Sequence, residues 1–250
     1  MTRPRNILAF DTALNGCAAA FYDTELQTGA SAVETMSRGQ SERLIPMVQS
    51  LINEVNKSFQ DIDLIVTTVG PGAFTGLRLG MSAARAWGVS LKKPVLGLST
   101  IDALSYSFLQ RQEGRPYRVL IETKRTDFYT QLFDAFGCAL TPPQALPFDD
   151  IYYQRDEVGT VLIGDGAERY LQMYEHALSL RPEGAEKDKA LASVPLYVKG
   201  FEMVNPTHMA RLADSLVASN GLPTEMPQPL YLRGADVSVS KRVQREIEAE

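Results

Sequence analysis

Residues 63–91 constrain the fold more tightly than any other stretch. Asp63 to Val69 is a continuous apolar strand, typical of a parallel sheet covered on both faces. The loop Gly70-Pro-Gly72-Ala-Phe-Thr-Gly76 follows at once, and a helix then runs to about Leu91. Strand, tight glycine loop and helix in that order belong to an α/β chain.

The flanking segments extend this pattern. Ile7 to Phe10 reads as a buried strand, Asn15-Gly16 as a hairpin turn, Cys17 to Tyr22 as a second strand and Ala30 to Thr35 as a third. Leu44, Val48, Leu51, Ile52 and Val55 recur at helical spacing, which predicts a helix over 41–59. Ser41 is its expected N-cap, and Pro46 predicts a kink or a later start. With a strand over Pro94–Leu98, the first hundred residues read βββαβαβ. Beyond them the sequence predicts a helix over 100–112, strands over 117–123 and 127–134, a loop at Thr141-Pro-Pro143, a strand over 161–163 and a helix over 167–178. Residues 181–194 are charged and read as surface loop. Asn205-Pro206 opens a last helix that Gly221 ends, and three prolines between 223 and 229 make an extended segment. Two α/β lobes result, over 1–100 and 101–235. The tail 236–250 reads as frayed or disordered.

Composition narrows the class. Hydrophobic residues are 44% and charged residues 22% of 250, an ordinary globular balance. The two cysteines, Cys17 and Cys138, lack CxxC spacing and read as small hydrophobes or free thiols. The apolar run after the basic start is too short for a signal peptide, and no run reaches transmembrane length, so a cytoplasmic protein without membrane contact is expected. A net charge of −5 argues against gripping nucleic acid alone, although a local basic patch can hide within it.

Several chemistries fail on their residues. The glycine loop has Leu77 where a P-loop needs lysine, and the next strand ends in Leu98-Ser99 without the acid of a dinucleotide fold. Gly70 and Gly72 are weak nucleotide candidates, and a tight turn that lets the helix pack closely is the plainer reading. Asp11-Thr12 resembles the phosphate loop of actin-like ATPases. Its required counterpart, a glycine-rich acidic hairpin in the other lobe, is replaced by Ile121-Glu-Thr-Lys-Arg-Thr126, so Asp11 is expected to cap a turn. His176 and His208 stand far apart, and no metal or catalytic set is predicted. The helix over 76–91 is apolar almost all round, with Gly76, Gly80, Ala84 and Gly88 on a small-residue stripe. It reads as buried on more than one side, by a partner or within a larger core.

Ile7-Leu-Ala-Phe-Asp-Thr12, Ser41-Glu-Arg-Leu-Ile-Pro46, Val69-Gly-Pro-Gly-Ala-Phe-Thr-Gly-Leu-Arg78 and Pro229-Leu-Tyr-Leu-Arg233 together resemble the TsaB (YeaZ) family. The resemblance runs from residue 7 to about 235. It implies a two-lobed actin/Hsp70-like (ASKHA) α/β fold, each lobe a mixed sheet with flanking helices. It also implies a non-catalytic subunit that pairs with TsaD and, with the ATPase TsaE, supports threonylcarbamoyl transfer to adenosine beside the tRNA anticodon. No cofactor is implied, tRNA is met only through the complex, and the chain can self-pair when alone. TsaD-like proteins carry two metal histidines four apart on the first helix, and here Gln40 and Leu44 take those places. Many TsaB relatives keep one histidine where Gln40 stands, and Glu122 replaces the family's usual aspartate. The resemblance further implies a TsaD-facing surface on the helices at 41–57 and 76–91. Leu44, Val48, Leu51, Gly76, Leu77, Gly80, Met81 and Ala84 are its expected residues. An autonomous nucleotide-dependent enzyme of the same fold, such as a small-molecule kinase, is the alternative.

Overall fold

A computed structural model describes residues 3–154 and 159–233. The expectation for the tail from 236 onward lies outside the described residues. Two five-stranded mixed sheets form the frame. The first is built from β1 (Asn6–Asp11), β2 (Gly16–Asp23), β3 (Thr28–Thr35), β4 (Leu64–Gly70) and β5 (Val95–Ser99), in the order β3-β2-β1-β4-β5. Strands β1, β2 and β3 are antiparallel neighbours, whereas β4 runs parallel to both β1 and β5.

Strand alternation sends Leu8 and Phe10 to one face of this sheet and Ile7 and Ala9 to the other. Helices α1 (Gln40–Glu54) and α2 (Phe74–Leu91) cover the first face, where Phe10 meets Trp87 edge to face at 5.3 Å. On the opposite face lie α3 (Thr100–Leu109) and, returning from the far end of the sequence, α7 (Pro206–Asn220). The second sheet holds β6 (Tyr117–Glu122), β7 (Asp127–Phe133), β8 (Gln144–Pro147), β9 (Val161–Ile163) and β10 (Leu196–Tyr197), in the order β10-β9-β6-β7-β8. Helices α4 (Phe148–Tyr153) and α5 (Ala167–Ser179) pack on its outer face around Leu120, Phe128 and Tyr170. Its inner face joins the α3/α7 core through Tyr117, Val119 and Ile121.

Several local expectations are corrected. Helix α1 starts at Gln40 and ends at Glu54, with Pro46 inside it rather than at a later start. Its N-cap is Gly39 in the left-handed conformation (φ 94°), while the Ser41 hydroxyl donates to Glu42. The charged stretch after 181 contains a helix, α6 (Ala185–Ala192), where a loop was expected, because Ala, Glu, Lys and Leu are all strong helix formers. The short elements β8, α4 and β10 had no sequence-based expectation. Asn205 caps α7 as expected, accepting from the backbone N–H groups of Thr207 and His208.

After α7 the chain crosses back over the glycine loop as a strap. Leu230 N donates to Val69 O at 2.7 Å, and Arg85 Nη2 donates to Pro227 O at 2.7 Å. Arg233 then pairs with Asp127 in the second sheet.

Candidate functional site

The two sheets face each other across a cleft floored by the β1–β2 turn. Asp11, at the end of β1, is fully buried. Its Oδ1 accepts from Ala13 N at 3.0 Å and from the Thr68 hydroxyl at 2.5 Å, which ties the turn to β4. Oδ2 has no hydrogen-bond partner among the described residues, and burial holds the carboxyl above the usual carboxylate range. Thr12 donates its hydroxyl to Gly76 O at 2.7 Å.

The glycines of the loop and helix serve this same packing. A Cβ on Gly72 would stand 2.7 Å from Ala13 O, one on Gly76 would run into Thr12 O, and one on Gly80 would stand 2.8 Å from Thr12 Oγ1. Helix α2 therefore lies on the β1–β2 turn more closely than any side chain allows. This corrects the expectation that the small stripe faces a partner. Gly76, Gly80 and Ala84 face the chain's own sheet and turn, Leu77 and Met81 are buried within the chain, and Leu44, Val48 and Leu51 pack with Leu8, Phe10 and Phe21. All eight are buried. The outer face of the two helices carries other residues, with Ile45 and Val89 58% and 70% exposed beside Pro46, Ser82 and Ala86.

Opposite Asp11 stands the β6–β7 hairpin. No glycine lies between Glu122 and Asp127, and Glu122 is already engaged. Arg169 Nε and Nη2 donate to its two carboxylate oxygens at 2.6 and 2.9 Å, and Lys124 N donates at 2.7 Å. A hairpin whose acid is neutralised and whose backbone is screened by side chains does not fit a polyphosphate or its metal. Of the two residues that the resemblance sets at TsaD-type ligand positions, Gln40 lines the cleft and Leu44 is 1% exposed in the core. Among the described residues no group of three or more His, Cys, Asp and Glu is placed to hold a metal ion. Cys17 is buried, with its thiol pushed up to about 11 by burial, and Cys138 is exposed.

Asp165 had no sequence-based expectation. It follows β9 in Gly164-Asp165-Gly166, and that acid between two glycines after a strand was the available signal. Its Oδ1 accepts from Glu122 N at 2.9 Å, and its Oδ2 accepts from Asn15 Nδ2 at 3.2 Å, so it bridges the two sheets at the cleft floor. Burial first, then the Glu122 and Asp11 charges, push its carboxyl up to about 7, against the hydrogen bond from Glu122 N.

These two sheets, their matching strand orders and the cleft between them define the two-lobed actin-like α/β fold. YeaZ from Pseudomonas aeruginosa shares that fold, with a TM-score of 0.71 over 91% of this chain and 99% of the other at 22% identity. The family model for TsaD, tRNA N6-adenosine threonylcarbamoyltransferase, matches residues 31–154. The tRNA threonylcarbamoyladenosine biosynthesis protein TsaB of Bacillus subtilis is 32% identical over 133 residues, 51% of this chain and 54% of the relative. TsaB of Escherichia coli is 28% identical over 123 residues, 49% of this chain and 52% of the relative. The chain thus spans about half the length of the curated relatives it matches. The resemblance to the TsaB (YeaZ) family, proteins of tRNA threonylcarbamoyladenosine biosynthesis, is shown by these matches. Among the described residues no helix is long and apolar enough to cross a membrane.

Proposed function

We propose that this chain is a non-catalytic subunit that pairs with a TsaD-like protein, with a TsaE-like ATPase, to support threonylcarbamoyl transfer to adenosine beside the tRNA anticodon. The observation that carries the reading is the occupied hairpin. Where an actin-like ATPase closes on phosphates, Glu122 is spent on Arg169 and no glycine opens the backbone. The partner surface is assigned to the outer face of α1 and α2, around Ile45, Pro46, Ser82 and Ala86, since the inner faces of both helices are core.

Ile45→Glu and Ala86→Glu test this. A charge buried unpaired at an interface costs about 3–5 kcal/mol, so a pull-down with the TsaD-like protein loses the partner while melting stays unchanged. Normal pairing by both variants refutes the surface. The alternative, an autonomous nucleotide-dependent enzyme, predicts ATP turnover near the enzyme median of ~10 per second that Asp11→Ala abolishes. We expect negligible turnover by the isolated chain.

A further inference from the structure

Two adjoining cavities, of about 820 and 560 Å³, run along the cleft and share Ala73, Phe74, Arg78, Thr123 and Lys124. Together they make one trough. No Asp or Glu lines the larger cavity. The smaller is lined by one acid, Glu122, and that carboxylate is held by Arg169. Elsewhere some arginines sit against carboxylates, as Arg43 does with Glu34 and Arg3 with Asp214, and others rest on rings or carbonyls, as Arg181 does on Tyr152 and Arg85 on Pro227 O. In the trough Arg38, Arg78 and Lys124 have no ion-pair partner among the described residues. Three uncompensated cations from both lobes therefore converge on one groove of a chain whose net charge is −5.

Aromatic faces accompany them. Phe74 is 52% exposed, Tyr231 lies 5.9 Å from it, and Tyr129 lines the smaller cavity. Arg78 stacks its guanidinium 3.7 Å above the Phe74 ring, an arrangement that leaves the N–H edge of the guanidinium clear of the ring. Side-chain cations interleaved with aromatic rings along an open groove are the means by which proteins hold single-stranded nucleic acid without reading its sequence. A mononucleotide polyphosphate asks instead for converging backbone amides, which the β6–β7 hairpin does not offer.

We propose that this trough binds the phosphodiester backbone of a single-stranded or looped RNA segment, with Arg38, Arg78 and Lys124 on phosphates and Phe74 stacking a base. The choice of RNA over DNA rests on the tRNA-modification reading, whereas the charge and stacking arguments do not. The overall negative charge makes the contact weak in the isolated chain.

The test is fluorescence anisotropy of the purified chain with a labelled single-stranded RNA of about nine nucleotides. The expected Kd at low salt is ~10–100 µM, with a log–log salt slope near −2 for three phosphates. Combined Arg38→Glu, Arg78→Glu and Lys124→Glu abolishes binding. The same charge change placed outside the trough, at Lys57, Lys92 and Lys199, leaves it within about twofold, provided the charges act locally rather than through the net field. Phe74→Ala weakens it roughly fivefold or more with melting unchanged. Absence of RNA binding, equal loss in the two charge-reversed variants, or displacement of RNA by micromolar ADP overturns the proposal. A separate pull-down of the trough variant with the TsaD-like partner reports on the pairing reading, which can fail while the anisotropy result stands.

Discussion

A single methyl group at residue 76 tests how the site is built. Gly76 lies over the Thr12 carbonyl, and the Thr12 hydroxyl donates back to Gly76 O, so Gly76→Ala must push α2 away from the β1–β2 turn. Overpacking that displaces backbone costs about 1–3 kcal/mol, which a lowered urea midpoint reads directly. Asp165 gives a second prediction through its protons. Burial holds its folded carboxyl up at about 7, against an ordinary aspartate value of 3.8 in the unfolded chain, so between those values the folded chain binds more protons. Stability from this group is therefore lost as pH rises from about 4 to about 7. Asp165→Asn removes that dependence, and its melting temperature should exceed the parent's by more at pH 8 than at pH 5. An equal difference at both values shows that the carboxyl is not neutral in the folded chain. Asp165 escaped sequence reading because its partner Asn15 lies 150 residues away, and no local periodicity links two such positions.

At the level of elements, α1 and α2 show what a hydrophobic stripe does and does not tell. The spacing of Leu44, Val48 and Leu51 finds the helix, but the same spacing suits a partner's groove or the chain's own sheet. What settles the orientation is distance: only glycine fits where α2 crosses the β1–β2 turn, so the small residues face inward. The apolar strands and the Asn205-Pro206 cap were legible because each carries its signal locally. Strands β8 and β10 were not, since four and two residues are too few for alternation to show. Pro46 offers a test here. It is exposed, and within α1 it leaves the Glu42 carbonyl without its helical donor. Pro46→Ala restores that bond and should stabilise the isolated chain by about 1–3 kcal/mol in chemical denaturation. A neutral or destabilising result means that the proline's ring packs more productively than the helix bond it removes.

Across the whole molecule the two halves follow one path twice. The first half reads βββαβαβ and the second βββαβααβ, with α6 the one helix added, and the strand orders 3-2-1-4-5 and 8-7-6-9-10 correspond position by position, although no internal sequence repeat is evident. The lobes are then stitched together by the cleft-floor bond of Asp165 to Asn15 and by the strap from Pro227 to Arg233. Arg233→Ala cuts one stitch. Hydrogen exchange should quicken in the 122–127 hairpin while the β1–β4 ladder stays protected, and unchanged exchange in the hairpin contradicts the strap's role.

Helix α7 gives the architecture a consequence in time. It covers Ile7, Ala9, Leu64 and Val66, yet it is made long after the strands that carry them. On a ribosome adding ~5–20 residues per second, the roughly 100 residues between β5 and α7 leave the part of that apolar face that α3 does not cover bare for about 5–20 s. The nascent first lobe is thus expected to need chaperone cover during synthesis. Stalling translation between residues 100 and 200 exposes a sticky half-protein rather than a finished lobe.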